Sequence, residues 1–303
     1  MTNLLLYVIT VLIWGSTWYA IEFQLGTVAI EVSLAYRYLI AAALMFAWCG
    51  LRRKSLRFDG AAHRYFLLMG CFLFGLNYIA AYAAQIYITS ALNAIGFSAM
   101  LWMNIVNARM FLGRRVERRT YAGAVLGIIG IIILFWPEIQ DVSWTDRILI
   151  GAVFSLTGAY IASIGNIVSQ SAQQKKIPVM QSNAWGMLYG GLLNSGAAFA
   201  QGKSFTFDTS PDYVISLLFL AVFGSVIAFG AYLTLLGRIG VERAGYAVVM
   251  FPMVAVVLSA LFEGLELELH IYVGVGLALA GNVAILGGRS LAQMNGWRQR
   301  LFS

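Results

Sequence analysis

Mostly apolar stretches recur along this chain, each near the 20 or so residues that cross a hydrocarbon core about 30 Å thick. They fall at 3–21, 32–51, 64–84, 89–110, 119–136, 148–168, 180–200, 213–236, 241–262 and 269–288. Each is read as a helix. The polar positions gather between these stretches, and one such boundary occurs twice. Residues 109–134 (RMFLGRRVERRTYAGAVLGIIGIIIL) and 260–285 (ALFEGLELELHIYVGVGLALAGNVAI) align without a gap at an offset of 151 positions. Phe111 falls on Phe262, Gly113 on Gly264, Tyr121 on Tyr272, Gly123 on Gly274 and Gly130 on Gly281, with Gly127 on the small Ala278. In each copy the small residues lie at i, i+4 and i+7, one face of a helix, where a second helix can approach closely.

The offset is half the chain, so the sequence reads as an all-α membrane protein of ten transmembrane helices built from two five-helix repeats. The first copy covers residues 1–145, the second 146–288, and 289–303 form a basic tail. An odd number of spans per copy makes the second enter the bilayer in the opposite sense. Inverted repeats of this kind are a recurring design of secondary transporters, with the substrate near the midplane.

Composition sharpens the class. With 60% hydrophobic and 11% charged residues and a mean hydropathy of +0.79, 303 residues hold too little polar surface for a soluble globule. Of the 20 Lys and Arg, all but Arg37, Arg147 and Lys203 fall in loops on the N-terminal side or in the tail. Most acids, among them Glu22, Glu31, Glu138, Asp141, Asp208 and Glu268, lie on the other side. Both termini are therefore expected in the cytoplasm. The pI near 9.5 reflects topology and implies no nucleic-acid partner. The opening segment lacks a positive n-region and a small-residue cleavage site, so it reads as a retained helix.

Candidate chemistry sits inside the spans. Trp14 and Trp18 share one face of the first helix; Trp18 and Tyr19 suit an interfacial aromatic belt, while Gly15, Ser16 and Thr17 suit close helix contact or a polar cavity wall. Arg37 is the sole basic residue more than three residues inside a predicted span. Two readings fit it: snorkelling to the outer surface or pairing with Glu22 or Glu31, and contact with a substrate. Asn77, Tyr78, Tyr82 and Gln85 follow one another on the third helix, and Ser98, Trp102, Met103 and Asn104 on the fourth. As a cluster they suit a mostly apolar pocket with a few placed polar groups, and singly they suit helix packing. The sixth helix is polar on one side (Gly158, Tyr160, Ser163, Asn166). The ninth carries Tyr246, Met250 and Pro252, whose missing N–H favours a kink. Candidate substrate-binding residues are thus Asn77, Tyr78, Tyr82, Ser98, Trp102, Ser163 and Tyr246. Gly15, Arg37, Gly123, Gly274 and Pro252 are candidates for packing or gating.

Trp14-Gly15-Ser16-Thr17, the Arg37-Tyr38-Leu39-Ile40-Ala41-Ala42 run and the block with Phe262-Glu263-Gly264, Tyr272-x-Gly274 and Gly281 together resemble the EamA-type branch of the drug/metabolite transporter superfamily, over essentially the whole chain. Within it the aromatic candidates are most similar to the YddG-type aromatic amino-acid exporters. The resemblance implies export of amino acids or related metabolites by alternating access in a bacterial inner membrane. The family pattern of a Pro within the fourth helix and a Glu at its end is met in the ninth (Pro252, Glu263), but the first copy has Leu101 and Leu112, so the halves are not equivalent.

Other chemistries find no support. There is no phosphate-binding G-x-x-x-x-G-K-[ST] loop. His63 and His270 stand alone and no Cys/His cluster offers a metal site, so no metal or cofactor is expected. Cys49 and Cys71 read as free thiols. No acid/base pair marks an enzyme. No Asp or Glu falls near a midplane, which points to facilitated or weakly coupled transport. With one basic residue available, a small zwitterion with an apolar or aromatic side chain suits these residues better than a phosphorylated metabolite. A proton-coupled multidrug or phosphorylated-metabolite antiporter is the alternative within the superfamily, and a channel or structural membrane protein is the alternative outside it. The expected partners are amino-acid substrate and lipid, with no obligatory protein partner.

Overall fold

A computed structural model describes residues 1–114, 116–140, 145–254 and 268–286, and every regular element among them is a helix. Helix α1 is Asn3–Glu22, α2 Ile30–Leu51, α3 Gly60–Gln85, α4 Ser90–Ser98, α5 Met100–Leu112, α6 Arg118–Leu134 and the short α7 Trp136–Gln140. There follow α8 Asp146–Gln174, α9 Val179–Ala200, α10 Pro211–Ile239, the single turns α11 Val241–Ala244 and α12 Tyr246–Val249, and α13 Leu269–Leu286.

Among the described residues, six helical runs are long and apolar enough to cross a membrane: α1, α2, α3, α4 with α5, α8 and α10. At 22 residues α9 has the length, but it spends positions on Gln181, Ser182, Asn183 and Asn194, all buried against the bundle. Helix α6 has 17 residues, short of a full span.

Local sequence sets several boundaries. Thr2 caps α1 by accepting from the Leu5 N–H, and Asp59 caps α3 by accepting from Ala62 at 2.9 Å. Gly113 ends α5 at φ +62°, a left-handed closure that glycine takes without strain. The ninth segment departs from the single helix expected over 241–262. It is broken at Gly245 and again at Met250. A Cβ on Gly245 would lie 2.5 Å from Asn104 Nδ2, so the polar Asn104 and the break fit together. Pro252 is buried in the helical stretch that follows. Residues 255–262, the matched Phe262 and Gly264, and the 289–303 tail lie outside the described residues.

The duplicated small-residue faces pack on each other. A Cβ on Gly123 would lie 2.7 Å from the Gly281 carbonyl oxygen, and one on Gly130 2.7 Å from that of Gly274. Helices α6 and α13 therefore run antiparallel. Helix α2 lies along α9, α3 along α8, α1 along α10 and α5 along α8. Each of α3 and α10 contains a π-helical turn, Phe72–Leu76 and Leu220–Ile227. Such turns widen a helix by one residue and often mark functional positions.

Candidate functional site

A cavity of about 60 Å³ lies where α1, α3, α4, α5, α8, α10 and the broken ninth segment meet. Helix α1 contributes Trp14, Thr17, Trp18 and Ile21; α3 contributes Leu73, Asn77, Tyr78 and Ala81. Phe97, Met100, Ala162, Asn166, Phe229, Tyr232, Val248 and Phe251 complete the wall. Among the described residues the wall holds no carboxylate and no histidine.

The aromatic half of the wall is interlocked. The Trp14 ring centroid lies 4.7 Å from that of Phe229, 4.9 Å from Tyr232 and 5.8 Å from Phe251, and Trp18 meets Phe97 edge-on at 5.1 Å. These are the offset and edge contacts that aromatic rings prefer. Trp14 Nε1 also donates to the Gly224 carbonyl at 2.9 Å, inside the π turn of α10.

The polar half is less satisfied. Trp18 Nε1, Asn77 Oδ1 and Tyr232 Oη all lack a hydrogen-bond partner among the described residues. Asn166 Nδ2, by contrast, donates to Asn104 Oδ1 at 3.3 Å. Unpaired polar atoms are costly in a buried apolar site, and here three of the wall residues carry one.

Arg37 stands at the shoulder of this wall. It is 1% exposed and, among the described residues, makes no ion pair. Nε donates to Ser225 Oγ at 2.9 Å and Nη1 to Tyr82 Oη at 3.3 Å. The guanidinium lies 4.6 Å from the Tyr78 ring centroid and 5.2 Å from that of Tyr38. Neither the snorkelling nor the pairing with Glu22 or Glu31 expected from sequence is found, because α2 is covered on this face by α3 and by the π turn that presents Ser225.

Of the residues singled out from sequence, Asn77 and Tyr78 line the cavity and Tyr82 holds Arg37 beside it. The others lie elsewhere. Ser98 donates to its own helix at Ala94 O, 3.0 Å. Trp102 is half-buried against Tyr121 of α6. Ser163 accepts from Asn107 Nδ2 at 2.9 Å. Tyr246 donates to Ala278 O at 2.8 Å, wedged between Gly127 and Gly281 in the glycine seam. Gly15 is a contact position: a Cβ there would sit 2.6 Å from Val254 Cβ. Trp18, expected in an interfacial belt, is a cavity residue; its neighbour Tyr19 is exposed. The shared face of Trp14 and Trp18 was the available signal for them. Phe97, Phe229 and Phe251 carried none, since an apolar residue in a span reads equally as packing or lipid contact.

A bundle of long apolar helices enclosing a small aromatic cavity edged by unpaired polar atoms fits a membrane transporter. The EamA-like transporter family model matches residues 1–136 and again 149–287, and the chain belongs to that family. It is 24% identical to the Bacillus subtilis protein named "Uncharacterized transporter YoaV", over 93% of this chain and 96% of that one. It is 25% identical to the Escherichia coli "Uncharacterized inner membrane transporter YedA", over 92% and 89%. It is 27% identical to a Salmonella typhimurium protein named "Probable amino-acid metabolite efflux pump", over 68% and 62%. A solved crystal structure shares the fold at a TM-score of 0.77 and 16% identity, covering 94% of this chain and 96% of that one.

Proposed function

We propose that this transporter moves amino acids with aromatic or other apolar side chains, and related small metabolites, out of the cell across a bacterial inner membrane. The observation that carries this reading is the cavity wall itself: the rings of Trp14, Trp18, Tyr78 and Phe229, with unpaired polar atoms on three wall residues, Trp18 Nε1, Asn77 Oδ1 and Tyr232 Oη. An apolar side chain packs on the rings. An ammonium donates to Asn77, and other polar groups of the substrate meet the Trp18 and Tyr232 donors as the wall opens. The names of the Salmonella and Escherichia coli relatives agree with an exported amino-acid metabolite and with an inner membrane.

The route is alternating access between two inverted five-helix repeats, 1–145 and 146–288, with ten spans and both termini cytoplasmic. The antiparallel pairing of Gly123 with Gly281 and of Gly130 with Gly274 supports it, because exchanging the copies turns one pair into the other. Polar contacts bridge residues of the two halves on both sides of the cavity. Ser33 and Tyr213 share a hydrogen bond at 2.9 Å and Gln24 donates to Ser216 at 2.6 Å on one side; Arg114 pairs with Glu242 on the other. The space between is far below the roughly 300–1,000 Å³ of typical ligand sites, so substrate entry requires one set to part. With no carboxylate or histidine in the wall among the described residues, transport is read as facilitated or weakly coupled.

Exchange into proteoliposomes tests this. Labelled phenylalanine and tryptophan are expected to enter vesicles preloaded with unlabelled amino acid, saturably and independently of a pH gradient. Accumulation of a lipophilic cation driven by pH, without amino-acid exchange, would overturn it.

A further inference from the structure

We infer that Arg37 is the anion-recognition group of the cavity, its Nη2 taking the carboxylate of the substrate and thereby restricting transport to compounds that carry one. This rests on the cavity being the substrate site. Nε and Nη1 are engaged with Ser225 and Tyr82, but Nη2 has no partner among the described residues. A cation buried to 1% exposure is strongly unfavourable without compensation. Two tyrosine faces and two neutral hydrogen bonds offset only part of that cost.

The position of Nη2 says where compensation enters. Thr17 Cγ2 and Arg37 Nη2 lie 3.1 and 3.3 Å from the point where a Cβ on Gly224 would sit. Any larger residue at 224 would press on both, so glycine is what lets Arg37 Nη2 sit against the cavity-lining Thr17. Thr17 lines the cavity, as does Tyr78, whose ring lies against the guanidinium. When the wall opens to admit substrate, a carboxylate reaching this corner would replace neutral contacts with a charge-assisted one. One free nitrogen suits a monoanion, whereas a phosphate dianion would call for further positive charge. A substrate without the carboxylate would enter beside an uncompensated cation, which disfavours amines most of all.

Four probes of one shape separate the possibilities: phenylalanine, 3-phenyllactate, phenylethylamine and phenylalanine methyl ester. Each is tested for thermal stabilisation of the purified full chain and for competition with labelled phenylalanine. The two carboxylates are expected to bind and the amine and ester not. Arg37→Gln is expected to weaken the carboxylates roughly 10- to 100-fold and to erase the difference between acid and ester. Arg37→Lys keeps the preference at reduced affinity, since ammonium lacks the planar fork. Wild-type binding of amine or ester equal to phenylalanine, or unchanged phenylalanine affinity in Arg37→Gln, would overturn the role of Arg37 and leave amino-acid transport standing. Binding of phenyllactate but not phenylalanine would do the reverse. Binding of none of the four removes both. Should Arg37→Gln fail to fold, equal affinity of Arg37→Lys for acid and ester overturns the inference.

Discussion

Gly130 and Gly274 face each other so closely that a Cβ built on either would lie 2.7 Å from the other's carbonyl oxygen. The obstacle in both directions is backbone, which cannot rotate away as a side chain can. The small-residue face therefore sets the separation of α6 and α13. Gly130→Ala and Gly274→Ala are each expected to destabilise the protein by about 1–3 kcal/mol, the usual range for overpacking. Gly276→Ala, with nothing within 4 Å of its would-be Cβ, is the matched control. Thermal unfolding in detergent decides it; equal midpoints for all three would contradict the close-contact role.

This seam is also where the sequence was most legible. A gap-free internal match placed Gly123, Gly130, Gly274 and Gly281 on faces that needed partners, and the structure makes them each other's partners. The site was harder to read. Asn77 and Tyr78 were recognisable because an amide and a polar ring inside a span have to face inward. Ser98 and Ser163 obeyed the same rule but were satisfied by neighbours, Ala94 O and Asn107, which no spacing along a helix reveals. The two π turns shift side-chain direction by one residue in mid-helix, so periodicity does not foretell that Gly224 and Ser225 serve Trp14 and Arg37.

Trp18 and Trp102 exchange the roles that residue type alone suggested. Trp18→Ala is expected to raise the KM for phenylalanine about tenfold, as loss of a stacking and hydrogen-bonding wall residue would. Trp102→Ala is expected to lower stability while leaving KM within about twofold, consistent with its packing on Tyr121. Concentration-dependent exchange measured for both variants distinguishes them; the opposite pattern would relocate the site to α5.

Trp14→Phe keeps an aromatic ring against Phe229 and Tyr232 but removes the donor to Gly224 O. A buried carbonyl left without its partner costs about 1–3 kcal/mol. A lowered unfolding midpoint is expected, and an unchanged one would show that the indole N–H bond between α1 and the π turn adds nothing.

The Arg114 guanidinium reaches both carboxylate oxygens of Glu242 at 3.0 Å, and Arg243 pairs with Glu117 at 2.6 Å alongside. At such partly exposed positions an ion pair contributes at most about 1 kcal/mol, enough to bias a gate without holding the fold. Glu242→Gln is expected to change the exchange rate severalfold, and the swap Arg114→Glu with Glu242→Arg to restore it. At about 1 M salt, where the Debye length falls to about 3 Å, wild type and Glu242→Gln should converge. Rates indifferent to all three changes would remove the pair from gating.

The most direct test of the cavity as the substrate site is cysteine protection. With Cys49 and Cys71 replaced by Ser, a single Cys at the cavity-lining Ala162 is alkylated by a membrane-permeant maleimide in reconstituted vesicles, with and without saturating phenylalanine. Phenylalanine should slow the reaction severalfold while a lipophilic cation leaves it unchanged. An alkylation rate indifferent to phenylalanine, in a variant that still exchanges the amino acid, would contradict the assignment.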